Sequence, residues 1–202
     1  MDNKRNNIAR RKTLTANKPE NVRQTDIIIL VEKAIEGNVE AFGELYGIFL
    51  DRIYRYVFYQ VRDRMTAEDI TEEVFIKAWN AISSCKGKEK TFSAWLYRIA
   101  HNRVIDIFRS REKEQLIEMD PVAEAGSTEL EVETEIDHRE LLDSIAELPP
   151  NQKQVIILKY IEGLDNREIE RIMGKKQGAI RILQMRALAR LRERLNGGAE
   201  EK

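Results

Sequence analysis

From Thr25 onward, apolar residues recur every three or four positions, the spacing that lines one face of a helix. The segment TDIIILVEKAIEG reads as a first helix, capped by Thr25 and stopped at Gly37, after which Asn38 caps a second. Phe42, Leu45, Tyr46, Phe49, Ile53, Tyr56 and Val57 carry that second helix to about Asp63. Thr66 opens a third, with Asp69 as its capping-box acid and Ile70, Val74, Phe75, Ala78 and Trp79 as its apolar stripe. The polar, basic stretch SSCKGKEKT, with Gly87 in its middle, reads as a loop. Thr91 then caps a fourth helix whose stripe is Phe92, Trp95, Leu96, Ile99, Val104 and Phe108. The alternation of a half-buried strand appears nowhere in these ninety residues.

Beyond Arg111 the pattern stops and the composition changes. Residues 112–139 are acidic, contain Pro121 and Gly126, and have no sustained apolar face, so they read as a flexible linker. Helical spacing returns in RELLDSIAELPPNQKQVIILKYIEG, where Pro149 and Pro150 divide two helices. Asp165 and Glu168 form a capping box for a short helix that ends at Gly174. One longer basic helix follows and fades at Asn196–Gly198. The expected fold class is therefore all-α: two small helical domains joined by a flexible acidic linker, the C-terminal one with a helix-turn-helix. The divisions are a disordered basic tail (1–24), a helical domain (25–111), the linker (112–139), a helix-turn-helix domain (140–196) and a short tail (197–202).

Composition narrows the classes. With 42% apolar and 34% charged residues in a 202-residue chain, two thin helical cores are a better fit than one thick core. No stretch approaches a membrane span, and the N-terminus has no apolar run behind its charges, so a cytoplasmic protein without membrane insertion is expected. Cys85 stands alone, and with His101 and His138 it makes no metal spacing; neither a metal nor a cofactor is expected. The net charge of −1 averages over opposed blocks. Residues 1–24 carry seven basic and two acidic residues, residues 25–111 thirteen of each, residues 112–150 two against thirteen, and residues 151–202 twelve against seven. Such asymmetry points to partners of different sign for different segments.

The basic C-terminal helix is the clearest candidate for chemistry. At 100° per residue, Ile180, Leu183, Ala187 and Leu191 share an arc that faces the domain. Arg181, Ile182, Met185 and Arg186 fall outside it, and Lys175, Lys176 and Gln177 stand at the helix start, where base edges are met. Arg suits guanine, Gln suits adenine, and Ile or Met suits a thymine methyl. Arg190, Arg192 and Arg194 suit phosphates. The loop and fourth helix mix Lys86 and Lys88 with Tyr97, His101 and Asn102, which lie off the apolar stripe and suit unstacked single-stranded bases. Glu68, Asp69, Glu72 and Glu73 crowd the first turns of the third helix, where they complement its dipole without any catalytic role. With no Gly-rich phosphate loop and no nucleophile triad, the chain does not read as an enzyme.

Three segments together resemble a known family: AEDITEEVFIKAW (67–79), FSAWLYRIAHNRVIDIFRSR (92–111) and LPPNQKQVIILKYIEGLDNREIERIMG (148–174). They are similar to the extracytoplasmic-function (ECF) group of bacterial RNA polymerase sigma factors of the sigma-70 family, in the order that family has, over about residues 25–195. The resemblance implies a non-catalytic polymerase subunit that directs promoter-specific transcription initiation. One domain would melt and read the minus-ten element and the other would read the minus-thirty-five element as duplex. It implies that Asp69, Glu72, Glu73 and Phe75 dock on the clamp helices of the polymerase β′ subunit. Loop residues 82–91 with Tyr97 and Asn102 would capture an unstacked base, and Arg181, Ile182, Met185 and Arg186 would read duplex. The linker would thread the polymerase channels beside the β subunit, and an anti-sigma protein would be the regulator. Four positions depart from the family pattern: Glu72 stands for Gln, Cys85 for an aromatic residue, Glu170 for a small Ala and Ile182 for Ser. The competing readings are a stand-alone helix-turn-helix regulator using only residues 140–195, and an interaction protein whose basic helix is solvated surface.

Overall fold

The structure is a computed structural model that describes residues 24–86, 91–117 and 136–197. Among the described residues all regular structure is helical. Helix α1 spans Gln24–Ile35, α2 Val39–Val61, α3 Arg64–Ala81 and α4 Phe92–Ile117, with a 3-10 turn at Ile82–Cys85. The second group is α5 (Ile136–Ala146), α6 (Pro150–Ile156, prolonged by a π turn over Ile157–Ile161), α7 (Asn166–Met173) and α8 (Gln177–Gly197). The basic tail falls almost wholly outside the described residues, as do Lys88 and the central part of the linker. The linker's two ends, however, are helical: α4 runs on to Ile117 and α5 begins at Ile136.

Local chemistry sets the boundaries. Asn38 accepts the Ala41 backbone N–H at 2.7 Å and caps α2, as its sequence position implied. The cap of α3 is Asp63, not Thr66: its carboxylate accepts the Thr66 N–H at 2.8 Å, so Thr66 and Asp69 lie inside the helix. Thr25 likewise lies inside α1, one residue past its start. Arg62 closes α2 in the left-handed region at φ 58°. At α7 the capping box of Asp165 and Glu168 forms in full, and Gly174 ends the helix at φ 64°, a conformation that only glycine adopts without strain. Pro149 caps α6 and Pro150 fills its first turn, where a missing N–H costs nothing.

Helices α1 to α4 enclose Val31, Phe49, Ile53, Val74, Phe92 and Leu96, and α5 to α8 enclose Val155, Ile157, Leu158, Ile169, Ile180 and Ala187. Phe49 meets Phe92 edge-on at 5.5 Å, and Tyr56 meets Tyr97 edge-on at 5.4 Å, so aromatic contacts tie α2 to α4. The two groups also touch each other: α4 lies against α7, and α2 reaches the π turn that prolongs α6.

Candidate nucleic-acid and protein interfaces

Three surfaces hold the residues singled out from the sequence. The first is the outer face of α8. Ile180 and Ala187 are fully buried, Leu191 nearly so and Leu183 partly. Arg181, Ile182, Met185 and Arg186 project to the opposite side and are exposed, as the helical arc implied. Leu188 adds a further exposed apolar side chain to that face. At the entry to α8, Lys176 is exposed, Lys175 and Gln177 half-buried. Gln177 Nε2 donates to Glu170 Oε2 at 3.1 Å, which ties the first side chain of α8 back to α7. A second tie runs from Gln184 Nε2 to Asn166 Oδ1 at 3.0 Å. The two helices around Gly174 are thus held by side-chain amides as well as by core packing. Arg194, at the far end of α8, is paired with Glu147.

The second surface is α3. Asp69 and Glu72 are exposed; Glu73 and Phe75 are engaged within the fold. Arg103 Nη2 of α4 donates to Glu73 Oε1 at 2.8 Å. Phe75 is buried and meets Tyr46 edge-on at 4.7 Å, so its ring is not presented to a partner. Sequence reasoning overlooked two neighbours: Met65 is 74% and Ile76 60% exposed. With Asp69 and Glu72 they lie at spacings of four, three and four, one narrow stripe in which two acids sit between two large apolar side chains. The signal was present in the sequence, because Met65 and Ile76 fall outside the buried arc of Ile70, Val74 and Ala78.

The third surface, expected from Lys86, Lys88, Tyr97, His101 and Asn102, does not assemble as one exposed patch. Lys86 and Asn102 are exposed, and Lys88 lies outside the described residues. Tyr97 is fully buried, which corrects the expectation that it lies off the packed face. Its ring packs edge-on against Tyr56 of α2 with the Arg52 guanidinium over it, and Glu162 of the C-terminal group covers its hydroxyl. Its hydroxyl donates to Glu162 Oε2 at 2.5 Å. Burial foremost, with the Glu162 charge beside it, pushes the phenol well above its ordinary range. His101 is half-buried and its Nδ1 lies 2.5 Å from Gln154 Nε2, the amide donating to the neutral ring. Burial first, then the charges of Lys175 and Arg98, hold His101 below its usual pKa. Both residues therefore face the C-terminal helices.

Around them lies a cluster the sequence did not disclose. Glu162 follows the π turn, and its side chain is fully withdrawn from solvent. Arg55 grips it with both ends of the guanidinium, Nε to Oε1 at 2.8 Å and Nη2 to Oε2 at 3.1 Å. Arg52 Nε stands 3.7 Å from Oε2, and its guanidinium also lies over the rings of Phe49 and Tyr97. The hydrogen bond to Glu162 is the main reason Arg55 holds its proton more firmly than usual, against the cost of burial. Gln154 Nε2, which reaches His101, also donates to the buried Tyr56 hydroxyl at 3.2 Å. The π turn widens the helix just before Glu162 and so changes the angle at which that residue leaves it.

An all-helical chain with a helix-turn-helix near its C-terminal end is the class these features define. Comparison with known proteins gives the family. The model of sigma-70 region 2 matches residues 45–114, and that of sigma-70 region 4 matches residues 138–191. The chain is 37% identical over 166 residues to the ECF RNA polymerase sigma factor BldN of Streptomyces coelicolor, a match covering 80% of this chain and 63% of BldN. It is 29% identical to the ECF RNA polymerase sigma factor SigW of Bacillus subtilis, covering 82% of this chain and 94% of SigW. The fold also matches the sigma factor RpoE of Bartonella quintana, solved with its anti-sigma factor NepR, at a TM-score of 0.69 and 23% identity over 78% of this chain and 98% of that one. The chain belongs to the sigma-70 family, among its ECF sigma factors.

Proposed function

We propose that this chain binds bacterial core RNA polymerase in the cytoplasm and directs it to a subset of promoters as a non-catalytic subunit. The observation that carries the reading is the occurrence, on one chain and in order, of region 2 and region 4 of the sigma-70 family, each with its own exposed candidate surface. A regulator acting through residues 140–195 alone leaves the acid and apolar stripe of α3 without a partner. In the division proposed here residues 25–111 dock and melt, 112–139 connect and 140–196 read duplex. Asp69 and Glu72, flanked by Met65 and Ile76, dock on the polymerase β′ clamp helices, Glu73 holds α4 against α3 from behind, and Phe75 supports the stripe from the core. Lys86, Lys88 and Asn102, joined by Tyr97 and His101 once the C-terminal helices move away, hold the opened minus-ten strand. Lys175, Lys176, Gln177, Arg181, Ile182, Met185 and Arg186 read the minus-thirty-five duplex. An anti-sigma protein is the expected regulator.

Run-off transcription tests this directly, with core polymerase, the purified chain and a library of promoter fragments. Specific starts that need the chain and are lost with Asp69→Ala support the reading. If no specific start appears and the chain fails to co-migrate with core polymerase, the reading is wrong.

A further inference from the structure

We propose that the free protein closes on itself, with the buried carboxylate of Glu162, seated between Arg52, Arg55 and Tyr97, as the latch that holds the two helical groups together. What closure prevents rests on the promoter-reading function above; closure itself does not.

The partners decide the case. Every group that compensates the Glu162 charge comes from α2 or α4, over a hundred residues away in sequence for the two arginines and 65 for Tyr97. A carboxylate fully withdrawn from water holds its charge only with partners of this kind. Arg55 supplies the two parallel bonds of a forked pair, the strong form of this contact. The seat is specific as well as strong, because one planar guanidinium, one phenol and one carboxylate fit in a single relative placement. Gln154 adds a second link across the seam, to Tyr56 and His101. A third, the exposed pair of Arg62 and Asp143 at 2.7 Å, contributes little.

The same chemistry makes the latch reversible. When the groups part, Glu162, Arg52 and Arg55 all regain water, so opening strands no charge in an apolar site. An apolar seam of equal extent would favour closure without that release.

Closure has a consequence for access. Tyr97 is covered by Glu162, and His101 by Gln154 with Lys175 close enough to act on its proton. Tyr97 and His101 belong to the proposed single-strand surface; of the proposed duplex readers only Lys175 is drawn to the seam, while Arg181, Ile182, Met185 and Arg186 stay exposed. Met65, Asp69, Glu72 and Ile76 remain exposed on α3. A polymerase can therefore meet the closed chain at α3 first, and single-strand reading by Tyr97 and His101 requires the seam to open.

The test uses the full-length chain with a dye pair on cysteines placed at the exposed Glu32 and Glu193, Cys85 being buried. Glu162→Gln keeps the shape and removes the charge; Glu162→Ala removes both; Arg55→Glu reverses one partner. Each should raise the open fraction at least about tenfold, the effect of losing one charge-assisted bond. Circular dichroism identifies any variant that has simply unfolded, and Glu162→Gln is the variant least exposed to that. Transfer efficiency unchanged in folded Glu162→Gln overturns the latch. Opening without promoter-dependent transcription would uphold the latch and reject the sigma reading; transcription with unchanged efficiency would do the reverse.

Discussion

Glu170 Oε2 accepts a hydrogen bond from Gln177 Nε2 at 3.1 Å across the turn through Gly174. The contact uses one N–H of the Gln177 amide and leaves the second N–H and Oε1 for other partners. With one N–H held by Glu170, the amide presents its second N–H and Oε1 to a base pair in fewer orientations. On the proposed reading, Glu170 thereby orients a base-reading amide without touching DNA. Glu170→Ala should free the amide and change base preference at the one promoter position that Gln177 meets, by about 1–3 kcal/mol. Selection of binding sites from a randomised minus-thirty-five library reads this out. A preference changed equally at all positions, or at none, would show that the contact only supports the fold.

On α8 the exposed basic residues divide by depth along the helix. Arg181 and Arg186 lie on the face opposite Ile180 and Ala187, near the turn. Arg181→Ala and Arg186→Ala should each lower discrimination between cognate and scrambled duplex by about 1–3 kcal/mol. Arg190→Ala should instead weaken both duplexes alike and lower the slope of log affinity against log salt by about one. Fluorescence anisotropy over a salt series separates the two behaviours.

Gly174 offers a test of the turn that sets the two reader helices. A side chain there meets nothing within 4 Å, so the cost of Gly174→Ala is the left-handed backbone at φ 64° alone. The expected loss is about 1–2 kcal/mol of stability. Denaturant unfolding followed by circular dichroism measures it, and Gly178→Ala, on a helical backbone with equal room, should be neutral or mildly stabilising.

How much of this was legible in the sequence follows from what each feature depends on. The caps at Asn38 and Asp165, the proline break before α6 and the buried arc of α8 depend on residues a turn apart, and local pattern contains them. The cap of α3 was misplaced because Asp63 and Thr66 are both good capping residues, and only the geometry of Arg62 decides between them. The π turn has no sequence signature in ILKYI. Tyr97 and Glu162 were out of reach for a different reason: each is an ordinary residue in its own helix, and their pairing arises from packing between segments that no periodicity connects. The exposed stripe on α3 lies between these cases, since Met65 and Ile76 could have been read as exposed from the same arc that placed Ile70 inside.

His101 makes the seam sensitive to acid. Burial foremost, then the positive charges of Lys175 and Arg98, hold its pKa in the folded chain below the ordinary 6.5, and the neutral ring accepts from Gln154. Once unfolded, the ring takes up a proton near 6.5, and the unfolded chain then binds more protons than the folded one. The contribution of His101 to stability is thus fully present above about pH 6.5 and is lost as the pH falls below it, until the folded-state pKa is reached. The slope in that window is at most about 1.4 kcal/mol per pH unit. Denaturant unfolding of wild type and His101→Asn across this range isolates the term, because other titrating groups are common to both. The wild type should lose more stability than the variant as the pH falls below 6.5, with the two running parallel above it; parallel curves throughout would mean that the ring does not hold its neutral form at the seam.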